Sequence, residues 1–117
     1  MKGIFFLAVG LMAVFTLSLV LPADVHAVDE TPSVELGKKL FNDPSLGTNG
    51  KSCSTCHQSE EKAGSLAARG VWFGGEAKTL EQAVNFCIKA TLEGKPLPED
   101  SVEARSIALY MRSLIKQ

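Results

Sequence analysis

Cys53, Cys56 and His57 bring two thiols and an imidazole together within the short run Cys53-Ser54-Thr55-Cys56-His57. Two thiols three positions apart can add to the two vinyl groups of a haem, and the next residue then points its imidazole at the iron. That spacing is the one of c-type haem attachment, with Cys53 and Cys56 as thioether sites and His57 as proximal iron ligand. Two other chemistries use similar residues. A Cys3His zinc site would need Cys53, Cys56, His57 and Cys87, yet structural zinc sites draw their ligands as separated pairs, and adjacent Cys56 and His57 would strain to reach one tetrahedral ion. A thioredoxin-like dithiol belongs beside a βαβ pattern, and no alternating β-branched run occurs here.

A haem iron held by His57 leaves its opposite side to be filled or left open. Two residues of the mature chain are candidates. Met111 is the only methionine downstream of position 12, and its spacing with Ile107 and Leu114 also suits a core position. Cys87 is the odd cysteine of three. It falls on the apolar stripe of a helix, where it is either a buried inert thiol or an iron ligand whose thiolate the metal charge would favour.

These residues sit in a chain that opens with an export pattern. Met1-Lys2-Gly3 precedes an apolar or weakly polar run from Ile4 to Leu21, then Pro22-Ala23-Asp24-Val25-His26-Ala27. A secretory signal over 1–27, cleaved after Ala27 or alternatively Ala23, is expected, and with it a periplasmic location. The alternative is an uncleaved anchor, because the run is near the lower limit for a membrane span. His26 would leave with the signal. Removal leaves about 90 residues at 28–117, enough for one small domain whose core is marginal without an apolar prosthetic group. The formal net charge is −1 and the basic residues are scattered, so no footprint for nucleic acid exists.

The elements that must position the site follow from periodicity and caps. A first helix is expected over 33–41, capped by Thr31 or Ser33, with Val34, Gly37, Leu40 and Phe41 on one face, and stopped by Asn42-Asp43-Pro44. Between His57 and Lys78 the glycines predict a loop wrapped on the haem, with at most one helical turn near 65–69 and Val71, Trp72 and Phe73 covering the haem. Thr79 and Gln82 form a capping box for a helix carrying Leu80, Val84, Cys87, Ile88 and Thr91 and ending before Gly94. A last helix starts at Asp100 or Ser101 and buries Ile107, Tyr110, Met111 and Leu114.

Gly37 and Phe41, C-x-x-C-H at 53–57, and Ile107 with Tyr110 resemble the class I cytochrome c domain. The resemblance implies an all-α fold in which the N- and C-terminal helices cross around one covalently bound haem c. The run from Leu36 to Pro44 is also similar to the segment before the haem motif in bacterial dihaem cytochrome c peroxidases, whose second motif does not occur in these 117 residues. Val84-Asn85-Phe86-Cys87 and the stretch from Leu92 to Ser101 resemble haem domains of thiosulfate dehydrogenases and related sulfur-oxidising cytochromes. That similarity implies a cysteine or a nearby methionine as distal ligand, and the methionine position is Leu92 here.

The reading that results is a periplasmic monohaem c-type cytochrome passing single electrons between other redox proteins, a carrier rather than an enzyme. The alternative is a haem subunit or sensor with a Cys-ligated or open iron, acting on a sulfur compound or binding a small gas. A zinc module without haem is the third possibility.

Overall fold

The computed structural model describes residues 31–116, so the export signal and its cleavage sites lie outside the described residues. Five α-helices follow in order: α1 Val34–Phe41, α2 Cys53–Cys56, α3 Glu60–Ala67, α4 Leu80–Ala90 and α5 Val102–Ser113. The described residues contain no strand, and Trp72 with Ala77 forms an isolated antiparallel bridge. The fold is the expected all-α one.

Four of the five helices start at a side-chain cap of the kind that satisfies an otherwise orphaned backbone N–H. Ser33, Ser59, Thr79 and Ser101 each accept from the N–H three residues on. The box expected at Thr79 closes differently: Gln82 Oε1 accepts from Lys78 N–H at 2.9 Å, one residue before the cap.

Packing of α1 on α5 is the most extensive between any two helices. Gly37 is the buried point of closest approach on α1, and Phe41 meets Tyr110 edge to face at 5.3 Å between ring centroids. Ile107 and Ala108 are fully buried beneath them. Ser106, also fully buried, accepts from Ser33 N–H at 3.0 Å and so ties the start of α1 to α5. Val34 departs from the expected face and stands exposed.

The segment after His57 is more ordered than its glycines suggest. Residues 60–67 form a full helix, α3, where a loop with one later turn was expected. Ser59 caps it, Glu60 and Glu61 complement its positive end, and Ala63 and Gly64 are buried. Gly64 is a contact residue rather than a breaker, since a β-carbon there would overlap the Leu114 carbonyl oxygen at the end of α5.

At the far end of α4 the residue with positive φ is Glu93, at 55°, rather than Gly94. Gly94 serves close approach instead: a β-carbon would overlap the Leu46 carbonyl oxygen. The connector that follows holds two prolines, and Asn85 clamps it to α4. Its Nδ2 donates to Leu97 O at 2.7 Å and its Oδ1 accepts from Leu97 N–H at 2.8 Å.

Candidate functional site

Thiols, imidazole and apolar walls meet in one cavity of about 320 Å³. One side is α2, a single helical turn whose Ser52 N–H donates to Thr55 Oγ1 at 2.9 Å. The turn closes with His57 N–H donating to Cys53 O at 3.0 Å, so both thiols and the imidazole leave consecutive faces of the same rigid turn. Cys53, Cys56 and His57 all border the cavity. Cys87 of α4 and Met111 of α5 border it too, as does Leu92. The structure therefore brings together every candidate haem-attachment and iron-ligand residue of the sequence reading, although they come from three helices and their ends.

The rest of the lining is mainly apolar, with Phe41, Leu66, Leu80, Ala83 and Val84 among others, and Ser52 and Thr91 as its polar members. Trp72 and Phe73 also border it, as expected, but Val71 is 62% exposed and covers nothing. Trp72 is fixed by its indole N–H, which donates to the Leu66 carbonyl at 2.7 Å.

Burial sets the electrostatics. It pushes the Cys53 thiol up to about 11, with the nearby Cys87 thiol adding to the rise. Burial likewise raises Cys87, followed by the charge of Cys56. All three cysteines border the same cavity. Burial, and then the Lys62 charge, holds the His57 imidazole below its ordinary range. A neutral imidazole keeps a nitrogen lone pair for a metal at neutral pH.

None of the three cysteines is in a disulfide. Among the described residues no three His, Cys, Asp or Glu side chains converge closely enough to hold a bare metal ion. The Cys3His zinc arrangement is thus not formed. A flat apolar macrocycle with its own metal suits the cavity better: the walls are apolar, and the volume falls within the usual range for cofactor sites. Three thiols, those of Cys53, Cys56 and Cys87, and the His57 imidazole sit on the border.

A family model described as di-haem cytochrome c peroxidase matches residues 31–95, more than half of the chain. The chain belongs to that family. It is a c-type cytochrome, its cofactor is haem c with its iron, and its chemistry is haem-based redox. The match takes in α1 through α4, including the haem motif, Cys87 and Leu92, whereas α5 with Met111 lies beyond it. No curated protein and no solved structure gave a match.

Sequence reasoning missed one neighbourhood of this cytochrome's site. A second cavity of about 210 Å³, with polar and apolar lining in similar measure, shares Phe41 and His57 with the first and is also bordered by Lys38, Gln58, Glu60 and Tyr110. Burial, then the Glu60 charge, raises Tyr110 above its ordinary range. Spacing alone could not have found it, because its borders come from α1, α2, α3 and α5 and the link between α2 and α3.

Proposed function

We propose that the chain is a monohaem cytochrome of class I build that passes single electrons between redox proteins in the periplasm. One observation carries the reading: both thiols of C-x-x-C-H and the adjacent imidazole border a single apolar cavity sized for a cofactor. Cys53 and Cys56 would hold the haem through thioether bonds to its two vinyl groups, and His57 would supply an imidazole nitrogen to its iron. Bound haem supplies the one-electron Fe(III)/Fe(II) couple. The apolar walls exclude water, and α2 fixes thiols and imidazole in one geometry. The single C-x-x-C-H among 117 residues supports one haem.

Cys87 favours a second reading. It borders the cavity from α4, facing the same space as Cys53, Cys56 and His57, whereas a carrier of the ordinary His/Met kind would use Met111. A thiolate-bound or open iron suits a subunit acting on a sulfur compound, as the resemblance to thiosulfate dehydrogenase haem domains implies, or a sensor of a small gas.

Optical and electron paramagnetic resonance spectra of the exported protein, beside Cys87→Ala and Met111→Leu, separate these readings. A low-spin wild type that turns high-spin only in Cys87→Ala means a His57/Cys87 iron and favours the sulfur-linked role. High-spin conversion only in Met111→Leu means a His57/Met111 carrier. A wild type already high-spin has an open iron. Oxidation of a reduced donor cytochrome by hydrogen peroxide tests the peroxidase activity in the family's description, and a colourless protein ends the haem reading altogether.

A further inference from the structure

Phe73 is in an unusual place for a large apolar side chain. Its φ is 51°, in the left-handed region, and Gly74 and Gly75 follow at 67° and 99°. Glycine enters that region without steric cost, but an L-residue with a β-carbon is strained there. Strain of this kind persists only where the surroundings over-determine it, and it gathers at functional sites. Here both ends are pinned. Trp72 N–H donates to Ala77 O, Ala77 N–H returns to Trp72 O, and Gly75 N–H donates to Trp72 O at 3.0 Å. The Trp72 indole anchors the turn to α3 through the Leu66 carbonyl.

The strained residue is also poorly buried. Phe73 borders the haem cavity while remaining 42% exposed. Phe86, on the next helix, does not border the cavity, is 39% exposed, and stacks on Phe73 with centroids 4.0 Å apart and planes 26° apart. Core packing does not account for two half-exposed rings stacked on each other. A ring that faces the cavity on one side and is braced from outside on the other has the arrangement of a lip.

From this we infer that Phe73, braced by Phe86, is the residue that shuts water and solutes out of the haem cavity on the 72–77 side and so determines what reaches it. The inference rests on the haem reading above. Phe73→Gly removes the ring, and glycine adopts a φ of 51° without steric cost. Phe73→Leu keeps a bulky apolar side chain.

Trp72 is the only tryptophan, so its indole N–H gives one signal. The test is hydrogen exchange of that N–H by NMR in the reduced, haem-loaded protein, with the amides of Ile107 and Ala108 as a gauge of global opening. Phe73→Gly is expected to speed indole exchange at least tenfold with the gauge amides unchanged. Phe86→Ala should give a smaller acceleration, and Phe73→Leu should stay near wild type. Indole exchange within twofold of wild type in Phe73→Gly overturns the inference, and so does an acceleration shared equally by the gauge amides. Should Phe73→Gly fail to fold, Phe86→Ala decides by the same criterion. Failure of the haem reading is recognised separately, as a wild-type mass lacking covalent haem.

Discussion

Gly37 and Ser106 touch backbone to backbone: a β-carbon on Gly37 would overlap the Ser106 carbonyl oxygen and come 2.8 Å from Cβ of Tyr110. The oxygen belongs to the backbone of α5 and cannot swing aside, so α1 and α5 would have to separate. Overpacking of this kind costs up to about 3 kcal/mol, and alanine's better helix propensity returns about 1 kcal/mol. Gly37→Ala should therefore destabilise by about 2 kcal/mol and lower Tm by roughly 8–16 °C in a domain of this size. Gly70→Ala is the control, because nothing lies within 4 Å of its β-carbon position. Its effect should stay within about 0.5 kcal/mol by thermal denaturation.

The haem-free chain should lose its fixed tertiary structure. Leaving an apolar cavity of about 320 Å³ empty costs up to roughly 8 kcal/mol at the rate measured for core cavities. Water entering from the mouth lowers that figure. Even so, it is comparable with the whole stability of a small domain, about 4–13 kcal/mol for this length. A Cys53→Ala, Cys56→Ala protein should show weakened near-ultraviolet circular dichroism and no cooperative melt. A sharp melt near the wild-type temperature would show that the five helices need no prosthetic group.

Thiol counting distinguishes the three cysteines. With Cys53 and Cys56 in thioether bonds, Cys87 is the one thiol left to alkylate. Cys87 is half-buried and borders the cavity that the haem would fill, so a reagent would reach its sulfur only on unfolding. Iodoacetamide should leave the folded, haem-loaded protein unmodified on the timescale that labels a free peptide thiol, and add one carbamidomethyl group at Cys87 after denaturation. Label on Cys53 or Cys56 would contradict their assignment.

Asp43 gives a stability term with a defined sign. Its carboxylate accepts from Ser45 N–H at 2.8 Å, and hydrogen bonding to Ser45 holds its pKa below the ordinary 3.8. A depressed folded pKa stabilises above the unfolded value, and the effect is lost as pH falls through the folded value. Asp43→Ala should lower the urea midpoint at pH 7, and the gap from wild type should close as the pH is taken well below 3.8. A gap that stays constant from neutral to acid pH would mean that the carboxylate charge is not involved.

Much of this molecule was legible in the sequence because its signals are local. Ser33, Thr79 and Ser101 announce helices through hydrogen bonds spanning three residues, and C-x-x-C-H places three side chains on one turn. Gly64 shows where that legibility ends. It reads as a breaker, yet α3 runs straight through it because Leu114, some fifty residues on, needs the space of its missing β-carbon. Val34 and Val71 fail for the complementary reason: an apolar side chain is buried only if another element covers it, and nothing in their own sequence neighbourhoods says whether one does. The convergence of Cys87 and Met111 on the cavity is likewise a product of packing between helices, which periodicity orients but does not bring together.

The segment leading into the haem motif is stitched to the end of α4. Thr48 N–H donates to Leu92 O at 2.9 Å, Thr48 Oγ1 donates to Glu93 O at 2.9 Å, and Asn49 Nδ2 donates to Thr91 O at 2.9 Å. Gly47 lies against Leu92 so closely that a β-carbon would overlap its carbonyl oxygen. The chain that runs into Cys53 and the end of α4, where Thr91 and Leu92 border the cavity, are thereby parts of one girdle whose backbone dipoles are already held in hydrogen bonds. For the electron carrier proposed above, a site built this way would meet a change of one electron with little nuclear rearrangement, lowering the barrier to moving that electron in either direction.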